Sequence, residues 1–406
     1  MTKPQLQQLT EDRYLDWVKN LDLTFAFDYN PDEDTLHDLL EMDRTFGHWV
    51  DGRFVSTVSA FPLHLTVPGG VVPCGGTSVI TVSPTHRRQG LLNEMMQHHL
   101  DDIRDREEPI AALWASEPEI YGRYGYGSAS ISATIKVSHP YPPLAPGIAG
   151  PASVRLIDND EAMRLIPPFH DRFRKDQPGM FERWPEWWNK RIFNDPPGRR
   201  NGYTANRWVV AGDGDGLNGY ARYRVKADWG EDGYGRGEVA VLELFADSAG
   251  GWVGLWSYLL NQDLMRTFVA RLRSPDDPIL DILAGSRRAR PTTSDGIWVR
   301  IMDVVKALEA RSYSSDFNGV IEVRDPFGTA GGTFSIDITT EGAEVKPTDA
   351  PAEISLDIRD LGAIYLGRPG LARMNRVGRV AGDLDRLRSV DAAFAWETQP
   401  WCPEIF

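Results

Sequence analysis

Polar and acidic positions dominate residues 1–45, and the spacing of Leu36, Leu39, Leu40 and Met42 predicts a helix over Leu36–Phe46. From Gly47 apolar positions alternate instead. They predict strands at His48–Val50, Phe54–Leu65 and Val71–Val82, separated by turn signals at Asp51-Gly52 and Pro68-Gly69-Gly70. A helical pattern follows from Leu91 to Arg104, then a buried-type strand at Ile110–Ala115 and a tight aromatic and glycine segment, Glu119–Gly127. A further strand, Ala129–Val137, is expected to close this unit.

Residues 139–151 are rich in proline and glycine and read as a linker. Beyond them the pattern repeats. A helix is expected near Asp160–Lys175, a Trp-rich segment at Trp184–Phe193, and strands at Arg207–Ala211, Gly219–Lys226 and Gly237–Phe245. A helix at Gly251–Phe268 and a strand near Ile279–Leu283 complete the order seen in the first unit. The turn before this helix, Asp247–Trp252, has glycines but no arginine pair, so the second unit reads as a degenerate duplicate. After Gly296 come a strand (Ile297–Ile301), a helix (Asp303–Arg311), strands at Gly319–Arg324, Gly332–Thr339 and Ala343–Pro347, and helical runs at Ile358–Leu366 and Val390–Phe394. The fold class expected is α+β (mixed α/β), with domains at 1–140, 141–293 and 294–406.

Charge narrows the partners. Lys and Arg number 44 against 58 Asp and Glu, a net −14, which disfavours nucleic acid and suits cationic ligands. The charge is dispersed, so solubility alone also accounts for it. Cys74 and Cys402 are too few for a disulfide framework or a Cys-rich metal site, and a reducing cytoplasm is expected. The start, MTKPQLQQLT, lacks an apolar signal region, and no run approaches 18 apolar residues, so neither a signal peptide nor a membrane span is expected. His98 and His99 have no second ligand pair, and no metal is expected.

The chemistry concentrates where Ile80-Thr81-Val82 runs through a basic turn into the helix that starts at Leu91. Unpaired first-turn amides and the helix dipole suit a pyrophosphate there. Backbone at Ile80, Thr81 and Val82 can pair with a pantetheine arm as a pseudo-strand. Amides at Arg88, Gln89, Gly90, Leu91 and Leu92 can cradle the pyrophosphate, with Asn93 next in line. The Arg87 and Arg88 side chains can reach outer phosphates. An ordinary turn carrying two solvated arginines is the alternative. Neither GxxxxGK[ST] nor a GxGxxG after a strand is present.

The string VSPTHRRQGLL, followed by AALWASEPEIYGRYGYG, resembles the acetyl-coenzyme A motif of the Gcn5-related N-acetyltransferase (GNAT) superfamily, and within it the enhanced intracellular survival (Eis) family. Leu92 stands where the wider superfamily has Gly or Ala, a departure shared with that branch. The runs DGIWVRIMDVVKALEAR (295–311) and IYLG (364–367) resemble its C-terminal region. The resemblance implies tandem GNAT-like units, only the first catalytic, then a sterol-carrier-like domain, assembled as a homohexamer. It also implies an acetyl-CoA-dependent N-acetyltransferase with no metal, and places Ser116 and Glu117 at the thioester end of the cofactor.

A tyrosine hydroxyl of pKa ~10 is a suitable proton donor to a departing thiolate. Tyr121 begins the Tyr-x-x-x-Gly-Tyr segment to which the family's general acid maps; Tyr124 and Tyr126 are its neighbours and competitors. Candidate bases are His64, His86, acidic side chains and the α-carboxylate of Phe406, and the resemblance points to the last. Trp401, Ile405 and Phe406 are apolar anchors that argue for an ordered tail. Phe25, Phe27, Asp28 and Glu404 are candidates for an acidic, aromatic amine pocket. The family acetylates aminoglycosides and also lysine-like and peptide amines. A non-catalytic acyl-CoA or lipid binder, or an acetyltransferase of protein lysines or a small metabolite, stays open beside the aminoglycoside reading.

Overall fold

Strand pairing, more than chain order, organises the molecule. A computed structural model describes residues 3–26, 29–138, 142–213, 216–328 and 330–406. The chain divides into two compact units. One comprises Met1–Ser130, Gly296–Pro400 and Ile405–Phe406; the other comprises Ile131–Asp295 and Trp401–Glu404.

The first unit carries a sheet in which Gln5–Gln8, Phe46–Val50, Ser56–Val67, Gly70–Val82, Ile110–Trp114, Ile297–Ile301 and Gly127–Ser128 follow one another, with Arg53–Phe54 on Phe46–Val50. All contacts are antiparallel except that between Gly70–Val82 and Ile110–Trp114, which the helix Leu91–Asp105 connects. Met95, Met96, Leu100 and Ile103 recur at helical spacing along that helix and are buried. The same unit holds a second sheet of five strands, in the order Gly342–Pro347, Gly332–Thr339, Phe317–Arg324, Ile354–Asp357 and Ala381–Gly382. Its helix Ile358–Ile364 rests on the first sheet. A side chain at Gly127 or Gly362 would run into the backbone of Arg359 or Val299 respectively. Arg300 completes the join, donating to the Tyr124 carbonyl (2.6 Å) and to Asp325 (2.7 Å).

The second unit repeats the arrangement with its own sheet. The order is Thr292–Asp295, Ile131–Val137, Met265–Arg273, Gly237–Ala246, Gly216–Lys226, Arg207–Asp213 and Val154–Ile157. Its one parallel pairing, Gly237–Ala246 with Met265–Arg273, is connected by the helix Ala249–Leu260. Val209, Tyr223, Val241, Leu244 and Trp256 belong to its apolar core.

Several expectations are corrected. The strand expected to close the first unit instead pairs with Met265–Arg273 in the second, while Ile297–Ile301 enters the first sheet beside Ile110–Trp114. Apolar alternation reports that a strand is half-buried, not which sheet it joins. The sheets therefore do not follow divisions at 140/141 and 293/294. Leu36–Phe46 is not one helix: short 3₁₀ turns at His37–Leu39 and Met42–Arg44 flank extended Leu40 and Glu41. Leu36, Leu40 and Met42 still pack on the Trp17 cluster, which is what their spacing recorded. The helix expected over Gly251–Phe268 stops at Leu260, and Met265–Arg273 becomes a strand. Ile279–Leu283 is a helical turn, Ile279–Ile282, with the Asp277 carboxylate accepting from the Ile279 amide.

Candidate active site

The parallel pairing of Gly70–Val82 with Ile110–Trp114 is short. It joins Cys74, Gly75 and Gly76 to Ile110, Ala111 and Ala112 and then ends. Beyond that point Gly70–Val82 carries an extra residue. Its register with Ser56–Val67 shifts between Thr57 and Ser59, and Val79 sits at φ 49°. The strand is thus turned away from its parallel neighbour, and Ile80–Val82 presents a main-chain edge on that side. Gly90 follows at φ 84° as the residue before the helix, and a β-carbon there would meet nothing within 4 Å. The amides of the first helical turn accordingly open onto free space, next to exposed Arg87, Arg88 and Gln89. Arg87 Nε also donates to the Val82 carbonyl at 3.4 Å. Leu91 is buried and Leu92 half-buried, so their side chains serve the core while their amides face the turn. The geometry fits the pyrophosphate and pantetheine of a coenzyme A.

Three tyrosines form one packed cluster with Ile80, Leu92 and Ala115, and each hydroxyl has a partner of its own. Tyr124 donates to Asn93 Oδ1 at 2.6 Å, and Tyr126 meets Thr77 Oγ1 at 2.8 Å. Tyr121 ends the short helix Pro118–Tyr121 and pairs with the Ser116 hydroxyl, on an exposed segment shared with Glu117. Burial pushes the Tyr121 hydroxyl above the ordinary tyrosine range, against a smaller lowering by Ser116. It is therefore held protonated at neutral pH. Asn93, expected beside the cofactor, here orients Tyr124.

A polar network behind the strand was not legible beforehand. Asn20 donates to Thr81 Oγ1 at 2.8 Å and accepts from Ser83, while Thr57 lies 2.6 Å from Thr81. Thr77 also reaches His99 Nε2 at 2.9 Å. Its members include polar residues on otherwise apolar elements, Thr57, Thr77 and Thr81 on strands and Asn20 and His99 on helices.

The described amine-pocket candidates fall in separate parts of the chain. Phe25 ends the helix Tyr14–Phe25 with 38% of its surface exposed. Phe27 and Asp28 lie outside the described residues. Glu404 groups with the second unit, where its carboxylate accepts from Arg183 Nε (2.7 Å) and Trp187 Nε1 (2.5 Å). Phe406 is 7% exposed and groups with the first unit. His64 is exposed on Ser56–Val67, and His86 meets Thr85 beside the turn.

Comparison with known proteins identifies the family. Models described as acetyltransferase (GNAT) domains match residues 5–129 and 179–301, and one described as a sterol carrier protein domain matches 304–403. An uncharacterized N-acetyltransferase of Streptomyces avermitilis is 33% identical over 100% of both chains. The N-acetyltransferase Eis of Mycobacterium tuberculosis is 37% identical over 82% of this chain and 81% of its own. The crystal structure of Eis1 from Mycobacterium abscessus matches with a TM-score of 0.83 and 29% identity over 100% of both chains. With the parted strands and the glycine-led helix of its first unit, a second unit built on the same plan and a sterol-carrier-like C-terminal domain, the chain belongs to the Eis-like N-acetyltransferases of the GNAT superfamily.

Proposed function

We propose that the protein transfers acetyl from acetyl-CoA to primary amines of polycationic substrates such as aminoglycosides. The observation that carries the reading is the parting of Gly70–Val82 from Ile110–Trp114 after Gly76, with Tyr121 in the cluster that packs against Ile80. Ile80, Thr81 and Val82 hold the pantetheine arm along their free edge. Amides at 88–92 and the Arg87 and Arg88 side chains hold the phosphates, and Ser116 and Glu117 stand near the thioester. Bound acetyl-CoA supplies the acetyl group as a thioester.

As the amine nitrogen bonds to the acetyl carbon and the carbon–sulfur bond breaks, the Tyr121 hydroxyl gives its proton to the leaving thiolate. The α-carboxylate of Phe406 takes a proton from the amine. A carboxylate is a weak base in water, and removal from solvent beside the amine, or a bridging water, makes it competent. The net acidic chain favours polycations over anionic substrates. Assembly as a homohexamer in the cytoplasm belongs to the same reading. Among the described residues no helix is long and apolar enough to cross a membrane.

The test is free-thiol release from acetyl-CoA with kanamycin, tobramycin, spermine and a lysine-containing peptide, after intact mass has shown that the purified chain ends at Phe406. Release with the aminoglycosides at the highest specificity constant supports the reading. Faster turnover of the peptide or of a small amine moves the substrate to that class. Cofactor binding with no thiol release for any amine leaves only an acyl-CoA binder.

A further inference from the structure

The second unit repeats the parted strands of the first, and there the parting is filled. Gly237–Ala246 carries the same one-residue shift against its antiparallel neighbour, between Arg222 and Tyr223, and its parallel pairing with Met265–Arg273 ends at Val241 and Ala270. Residues 401–404 occupy the space beyond. Trp401 Nε1 donates to the carbonyl of Leu272, just past the last paired residue of one strand, and its ring lies 5.6 Å from that of Phe245 on the other. The Trp401 amide donates to the Pro178 carbonyl at 2.8 Å, and Gly179, at φ 98°, leaves room for no β-carbon against the Trp401 backbone. The Arg273 guanidinium, fixed by Asp277 at 2.7 Å, lies 4.8 Å from the centre of the Trp401 ring.

Glu404 is gripped more firmly still. Arg183, which holds one of its oxygens, also bonds Glu243 at 3.0 Å, and Glu243 accepts from Tyr220 (2.8 Å) and Arg222 (2.7 Å). Trp187 holds the other oxygen. Glu243 lies on Gly237–Ala246 just past the end of its parallel pairing. The turn that follows, Asp247–Gly251, has no arginine, and Ser248 rather than an open glycine caps the helix. A cleft of this plan has exchanged its phosphate-binding parts for a buried arginine that holds a carboxylate of the same chain.

We propose that the second unit is a socket for the C-terminal segment of its own chain, and that Glu404 is a positioning residue for the terminal carboxylate two residues on. The catalytic half of this statement rests on Phe406 serving as the base; the socket does not. Two residues span at most about 7 Å, so a fixed Glu404 leaves the terminal carboxylate a short tether. A misplacement of about 1 Å costs about 10²-fold in rate where a reacting group must be aligned.

The experiment uses the full-length protein with Glu404→Ala, Glu404→Gln and Trp187→Phe, together with a chain lacking Phe406. Carboxypeptidase A release of Phe406, followed by mass spectrometry, reports tail seating without reference to catalysis. Glu404→Ala is expected to speed that release at least tenfold and to lower kcat about 10²-fold, with the acetyl-CoA Kd within twofold of wild type. Glu404→Gln keeps an acceptor for Trp187 and Arg183 and should recover most of the loss. Trp187→Phe removes one donor, so it gives a smaller effect of the same sign and replaces the alanine variant should that one not fold. Unchanged Phe406 release in Glu404→Ala, or in Trp187→Phe as its replacement, overturns the socket. Faster release with unchanged kcat, in a protein that does need Phe406, overturns the positioning role. Full activity of the chain lacking Phe406 removes the base reading instead, and the release rates still judge the socket.

Discussion

Thr57 donates its hydroxyl to the main-chain carbonyl of Val79 across 2.6 Å. Val79 is the left-handed residue in the irregular stretch that turns the end of Gly70–Val82 away from Ile110–Trp114, and this bond satisfies a carbonyl the regular ladder would otherwise use. The same hydroxyl lies against Thr81, which Asn20 holds from the helix Tyr14–Phe25. The edge proposed to receive the cofactor is therefore braced from its far side. Thr57→Val keeps the shape and removes the bond. Leaving a buried carbonyl unpaired costs about 1–3 kcal/mol. If half of this falls on the cofactor edge, the KM for acetyl-CoA rises about twofold to thirteenfold while kcat at saturation stays near wild type. Steady-state kinetics checks it, and an unchanged KM would mean the irregular stretch holds its shape without Thr57.

Arg87 and Arg88 flank an open helix start and are both exposed. Charge-assisted bonds to phosphate contribute about 1.5–3 kcal/mol each, less where solvent screens them. Arg87→Ala with Arg88→Ala should raise the KM for acetyl-CoA by about 10–100-fold and flatten its dependence on salt. The melting temperature should move little, because neither side chain is part of the core. A salt titration of the KM in both proteins measures this.

The three tyrosine hydroxyls bond different partners: Tyr124 Asn93, Tyr126 Thr77 and Tyr121 Ser116. Tyr124→Phe and Tyr126→Phe each break a bond to Asn93 or Thr77 and should cost about 1 kcal/mol of stability with kcat largely retained. Tyr121→Phe loses its bond to Ser116 at a similar cost in stability, and should in addition lower kcat by about 10²–10⁴-fold. Because burial raises its pKa, the acid stays protonated through neutral pH, and loss of rate from its ionisation begins only above the ordinary tyrosine value of 10.0. A kcat profile of the wild type carried to high pH tests the sign: a falling limb centred well below that value contradicts Tyr121 as the acid.

Much of the first unit was legible because its signals are local. The strand, basic turn and helix from Ile80 to Arg104 follow from β-branched residues, a glycine and apolar spacing, all within one stretch. The exchange of Ile131–Val137 and Ile297–Ile301 between sheets was not, because pairing partners lie more than 100 positions apart and leave no mark on either strand's own pattern. Glu404 shows the same limit within the site. A glutamate near an aromatic tail suggests an amine pocket, and nothing in the tail itself announces the meeting with Arg183, 221 positions away. Asn20 and Thr57 were missed because a polar residue on an apolar element looks the same whether it faces solvent or a buried partner.

Arg300 ties three parts of the first unit together. It is 1% exposed, donates to the Tyr124 carbonyl beside the proposed acid, and pairs with Asp325 of the C-terminal domain. Removing one partner of a buried pair costs about 3–5 kcal/mol, since the other charge is left behind. Arg300→Met should therefore be strongly destabilising. Arg300→Met with Asp325→Asn should recover part of the loss, because the orphaned carboxylate is gone. Chemical denaturation of the set measures the coupling, and additive losses would mean that the pair contributes nothing of its own.

His99 gives the fold a dependence on acid that can be read separately from the chemistry. It is fully buried against Thr77, and among the described residues Nδ1 has no partner, so a second ring proton would be stranded away from water. Burial accordingly pulls its pKa down to about 3, from 6.5. The unfolded chain takes up a proton at this residue below pH 6.5 and the folded chain does not until about pH 3. Stability from this group is complete above the unfolded value and declines as pH falls through the window, by up to about 1.4 kcal/mol per pH unit. His99→Gln can keep a bond to Thr77 without that titration. The variant should melt below wild type at pH 7, and the gap should close as pH falls toward 4. Buried His48 and His170 are lowered too and remain in both proteins, so it is the difference between the two melting curves that isolates His99. A gap that stays constant over this range would show that His99 is already protonated in the folded protein.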